Sequence, residues 1–95
     1  MIKRLVLDVL IPNKVSIVEF AESLSKLPGI DAVNITVKEI DAETQTIIVV
    51  VEGEDVNFSG VSELIEKMNG VIHSIDQVVA GRKLINLPEE VSEEL

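Results

Sequence analysis

Between residues 2 and 11 apolar and polar positions alternate. Leu5, Leu7, Val9 and Ile11 fall on one side of an extended backbone, and Arg4, Val6, Asp8 and Leu10 on the other. Both sides carry apolar residues, which predicts a strand in the centre of a sheet. Pro12-Asn13 breaks it. Ser16 and Glu19 have capping-box spacing, and Ile17, Phe20, Ala21, Leu24 and Leu27 then follow at helical intervals until Pro28-Gly29. Residues 31 to 40 predict a second strand, with Val33, Ile35 and Val37 on one side and Ala32, Asn34, Thr36 and Lys38 on the half-solvated other. A polar connection from Asp41 to Gln45 leads to Thr-Ile-Ile-Val-Val-Val-Glu at 46 to 52, apolar on both sides and the most buried strand of the chain. After an acidic loop, Asn57 or Ser59 caps a second helix with Phe58, Val61, Leu64, Ile65 and Met68 as its stripe and Asn69-Gly70 as its stop. Residues 71 to 80 predict a fourth strand. Leu84 to Leu87 offer a short fifth one. Residues 88 to 95, with four Glu and no base, read as a frayed or weakly helical tail on a single domain spanning 2 to 87.

The order β-α-β-β-α-β consists of two β-α-β halves. Right-handed crossovers turn it into an α+β, ferredoxin-like sandwich, a four-stranded antiparallel sheet of order 4-1-3-2 with two helices on one face. That order puts the first and third strands in the middle, where the sequence is apolar on both sides. Helices cover only one face. Val6, Leu10 and one alternate set from Ile47 to Val51 therefore lie on a face with no helix, and a row of branched aliphatics left in water is unusual for a monomer. The expectation is a homo-oligomer in which another subunit covers the open face or an edge. The competing expectation is that residues 82 to 95 fold back over it.

Composition narrows the function classes. The 95 residues include 8 Lys+Arg and 17 Asp+Glu, a net charge of −9, which argues against a protein that holds nucleic acid by its phosphates. The sheet has no aromatic residue on which bases would stack. A hydrophobic content of 46% excludes a disordered acidic chain. Cys is absent, which removes disulfides, thiolate metal sites and cysteine nucleophiles. No apolar run is long enough for a membrane span, and Asp8 interrupts the only stretch resembling a signal segment, so the expected location is cytoplasmic.

No motif specifies a reaction, and the expectation is a non-enzymatic domain. His73, Ser74 and Asp76 are the residue types of a hydrolytic triad, but strict alternation sends His73 to the side opposite Ser74 and Asp76, which predicts a structural histidine. Asp8 and Asp76 come from strands that neighbour one another. Two close carboxylates suit a hard cation, unless Arg4, Arg82 or Lys83 neutralises them. Glu52, Glu54 and Asp55 concentrate oxygen ligands in a loop that suits Ca²⁺ better than Mg²⁺, although the loop lacks the EF-hand pattern, and a solvated acidic loop is the plain alternative. The segment holding Asn13, Lys14 and Ser16 resembles the loop that binds small effectors in ACT-type regulatory domains, with Asn13 or Lys14 where Gly is expected there. A turn and a helix cap explain the same residues.

Three stretches carry a wider resemblance. They are Gly70-Val71-Ile72-His73-Ser74-Ile75-Asp76-Gln77-Val78-Val79-Ala80-Gly81, the opening Leu5-Val6-Leu7-Asp8-Val9-Leu10 with Pro12, and Glu52-Gly53-Glu54-Asp55. Together they resemble the archaeal domain of unknown function family 211 over residues 2 to 87. Gln77 stands where an acidic residue is expected. The resemblance implies a ferredoxin-like fold in ring-like oligomers, an archaeal cytoplasmic source, and a divalent cation, calcium, associated with acidic residues; it implies no activity. Three functions follow, in order of preference. The first is a self-assembling structural or regulatory domain with a cation at its acidic residues. The second is an ACT-like module for a small-molecule effector, and the third a cation-dependent enzyme with Asp8 and Asp76 at subunit interfaces.

Overall fold

A computed structural model describes all 95 residues. The chain runs β1 (Ile2–Pro12), α1 (Ile17–Ser25), β2 (Ala32–Ile40), β3 (Thr44–Glu52), α2 (Phe58–Lys67), β4 (Val71–Ala80) and a single terminal turn, α3 (Glu89–Ser92). The sheet order is β2-β3-β1-β4 with every neighbouring pair antiparallel. Read from the other edge, this is the expected 4-1-3-2.

One face of the sheet holds the core. Leu5, Leu7, Val9 and Ile11 of β1 and Ile47, Val49 and Val51 of β3 pack with Phe20 and Leu24 of α1, Val61 and Ile65 of α2, and Val56. Each such side chain contributes about 1.5–3 kcal/mol by leaving water. Ser16 caps α1 by accepting from the Glu19 amide at 3.3 Å, and Asn57 caps α2 by accepting from the Gly60 amide at 3.1 Å. Helix α1 ends at Ser25 rather than Leu27, because the amides of Lys26 and Leu27 bond three residues back, to Ser23 and Leu24, in a tightened last turn. Strand β3 begins two residues before the expected Thr46. Thr44 and Gln45 face Pro12 and Ile11 in the ladder, which leaves a three-residue hairpin loop.

Two glycines join the halves of the fold. A Cβ on Gly53, after β3, would lie 1.8 Å from the Gly29 carbonyl oxygen, and one on Gly29, after α1, would lie 2.3 Å from the Asp55 carbonyl oxygen. Gly29 also has φ +83°. The α1–β2 and β3–α2 loops thus meet backbone to backbone, an approach that only residues without a Cβ allow.

The segment expected as a fifth strand is irregular instead. Gly81, at φ +134°, turns the chain back after β4, and the returning segment meets Arg4, whose Nη1 donates to Asn86 Oδ1 at 3.0 Å. It therefore approaches the sheet through side chains and gains no strand ladder. Val79 faces Arg4 on the open side and is only 4% exposed, at the end of the face to which the returning segment comes back. Farther along, Val6, Ile48 and Val50 stay half-buried and Leu10 and Val71 stay exposed.

Candidate functional site

Three irregularities in the sheet converge on Asp8. Leu5, Leu7 and Val9 of β1 face Val78, Ile75 and Ile72 of β4, so intervals of two residues on β1 match intervals of three on β4. The extra residues are Asp76 and His73. On the opposite edge, Val37 and Glu39 of β2 face Ile47 and Thr46 of β3, and Lys38 is extra. Bulges of this kind re-aim side chains and are common beside functional sites. Here they bring Lys38 and His73 to the open face from opposite edges. A cavity of about 250 Å³ results, lined by Asp8, Leu10, Lys38, Glu39, Thr46 and His73.

Asp8 is the unusual member. It is 6% exposed although no helix covers its face. Oδ2 accepts from Lys38 Nζ at 3.3 Å, and Oδ1 is buried without any hydrogen-bond partner. An unpaired buried polar atom costs about 1–3 kcal/mol, and more when it belongs to a charged group. The counter-charge expected from Arg4, Arg82 or Lys83 comes instead from Lys38, because the bulge in β2 swings that side chain over β3.

His73 corrects the triad argument. It shares a cavity with Asp8 and does not point to the helix side, since its own bulge shifts the phase of the strand. No relay forms even so: the Ser74 hydroxyl donates to Asp76 Oδ1 at 2.6 Å. Asp76 is exposed and does not line the Asp8 cavity; the residue facing Asp8 across the ladder is Ser74.

The acidic loop is tied into the protein by bases. Glu52 Oε2 accepts from Arg4 Nε at 2.6 Å, and Glu54 holds Lys3 Nζ through its carbonyl at 2.7 Å and its carboxylate at 3.1 Å. Lys3 is buried, so this ammonium is anchored under the loop. Asp55 is exposed. Arg4 also donates to Gln77 Oε1 at 3.2 Å, so the amide at that position accepts from a guanidinium as a carboxylate would. No three His, Cys, Asp or Glu side chains gather as a metal-holding group.

The loop after β1 is likewise occupied with structure. Asn13 bonds the β2–β3 hairpin through its amide to the Glu43 carbonyl at 2.9 Å and its side chain to the Asp41 carbonyl at 2.7 Å, while Ser16 caps α1 and Lys14 is exposed. Of the residues the sequence singles out for a site, only Asp8 enters the cavity. Lys38, Glu39, Thr46 and His73 are not singled out for it. The legible signals are the three-residue spacing of Ile72, Ile75 and Val78, and the charged Glu39 in phase with Val33, Ile35 and Val37.

No helix is long and apolar enough to cross a membrane. Residues 3–94 match the family described as uncharacterized ArCR, domain of unknown function family 211. An uncharacterized protein of Methanocaldococcus jannaschii is 50% identical over 84 residues, covering 88% of this chain and 87% of the relative. With a family match over almost every residue and a half-identical archaeal relative, the chain belongs to domain of unknown function family 211.

Proposed function

We propose that the protein is the subunit of a homo-oligomer with a structural or regulatory role, assembled through the free edge of β4 and the adjoining open face. One observation carries this reading. The edge strand β4 leaves Val71, Ile75 and Val78 at 63, 49 and 53% exposure, with Val71 on the open side of the sheet and the other two on the helix side. A ten-residue edge strand offers unpaired backbone groups to another strand, and large aliphatics beside them reward the pairing. The two free edges, β2 and β4, are unlike. Pairing one with the other is head-to-tail, and such contacts close into a ring when the rotation per subunit divides a full turn.

Sedimentation velocity of the purified protein at micromolar concentration tests this. A mass that is an integral multiple of the subunit, falling to the subunit mass in the doubly substituted Ile75→Lys, Val78→Lys chain, is the expected result. A subunit mass for the unaltered protein across the whole concentration range would overturn the reading.

A further inference from the structure

The cavity over Asp8 is formed within one chain and has a chemistry of its own. Asp8 and Glu39 bring two negative charges to it against one from Lys38, in a chain whose net charge is −9. That balance disfavours anions and favours a cation. Asp8 Oδ1 is the acceptor in want of a donor. Neither neighbouring donor serves it: Lys38 is on Oδ2, and the Ser74 hydroxyl is given to Asp76. A bare divalent ion would find two carboxylates, one already holding an ammonium, and no group of three or more ligands. An alkylammonium needs less. Its N–H groups are directional donors that one or two carboxylate oxygens satisfy. Its methylenes have Leu10 to lie against. The recess is open to solvent on one side, and its volume of about 250 Å³ leaves room for a short carbon chain.

We propose that the cavity bounded by Asp8, Lys38 and His73 binds a short aliphatic diamine, with one ammonium donating to Asp8 Oδ1 and the second placed near Glu39. Asp8 Oδ1 is itself buried, and the Lys38 side chain, 58% exposed, has room to move aside and open it to the ligand, while the bulge at His73 walls the opposite side. The site asks for a donor-bearing cation, which separates it from simple attraction of counter-ions to an acidic protein.

Titrating the ¹⁵N-labelled full chain at neutral pH with putrescine, and following backbone amide shifts, tests this. Parallel arms use the fully N-methylated analogue, which keeps both charges and has no N–H, and calcium chloride. Saturable shifts confined to amides around Asp8, Lys38, Thr46 and His73 are expected with putrescine. Affinity should fall about tenfold or more with the methylated analogue and in Asp8→Asn, which keeps the side-chain shape. The proposal is overturned by non-saturating shifts, by the methylated analogue or calcium acting on the same amides as strongly, or by undiminished binding to a folded Asp8→Asn chain, whose fold its own amide spectrum reports. The subunit mass plays no role in this readout.

Discussion

Asp8 and Lys38 form an unequal pair, one side chain buried and the other more than half exposed. For the lysine, the pair resembles a surface ion pair; for the aspartate, it is the sole counter-charge on a desolvated carboxylate. Removing the lysine should therefore hurt more than a surface bridge would suggest. Lys38→Met is expected to lower the unfolding free energy by about 1–2 kcal/mol in urea denaturation. In the Asp8→Asn background the same change should do little, giving a coupling energy of about 1–2 kcal/mol in a double-mutant cycle. Additive effects of the two changes would show that the pair contributes nothing. Asp8 stands out in the sequence because it is a charge inside an apolar alternation. Its partner does not, since Lys38 lies 30 residues away on a strand that does not touch β1, and only a bulge brings it there.

At the level of elements, the alternation of β1 and β3 and the caps of both helices are readable, because they depend on neighbours close in sequence. Ser16 and Asn57 each find an amide three residues ahead. The phase of β4 is not readable by simple alternation, because a bulge is a property of two strands in register. Alternation puts His73 on the wrong side for that reason. The meeting of Gly29 with Gly53 is equally non-local, and it makes a firm prediction. Gly53→Ala puts a methyl group into the Gly29 carbonyl and must push the α1–β2 and β3–α2 loops away from each other. A loss of about 3 kcal/mol or more, seen as a drop in thermal midpoint, is expected. Gly81→Ala makes a useful contrast, since a Cβ there meets nothing within 4 Å and only the φ of +134° opposes it.

For the whole molecule, topology follows from strand order and the handedness of crossovers, and the surplus of apolar surface follows from having two helices for a two-faced sheet. The course of the last segment does not follow, because Leu84 to Leu87 has strand-like composition yet turns back toward Arg4 and leaves the edge of β4 unpaired. The structure divides that segment by role. Asn86 holds residues 82 to 87 to Arg4, whereas residues 88 to 95 make no side-chain hydrogen bond or ion pair with the domain and carry four Glu. A chain ending at residue 87 should match the full protein in stability within about 0.5 kcal/mol, and one ending at Gly81 should lose about 1–2 kcal/mol as Arg4 loses its Asn86 partner. Equal stability of all three by chemical denaturation would show that the returning segment contributes nothing of consequence.

The central position of β1 bears on how the protein is made. Its two neighbours are residues 44–52 and 71–80, so the strand synthesised first has no nearby partner and waits for both. On the ribosome, an eleven-residue stretch with apolar side chains on both sides stays without its second neighbour until most of the domain has emerged. Contacts this distant in sequence slow folding. An unpaired central strand is also the segment most open to pairing with the wrong chain. Refolding from denaturant should therefore lose yield to aggregation as concentration rises, and the aggregates should protect β1 from hydrogen exchange before any other element.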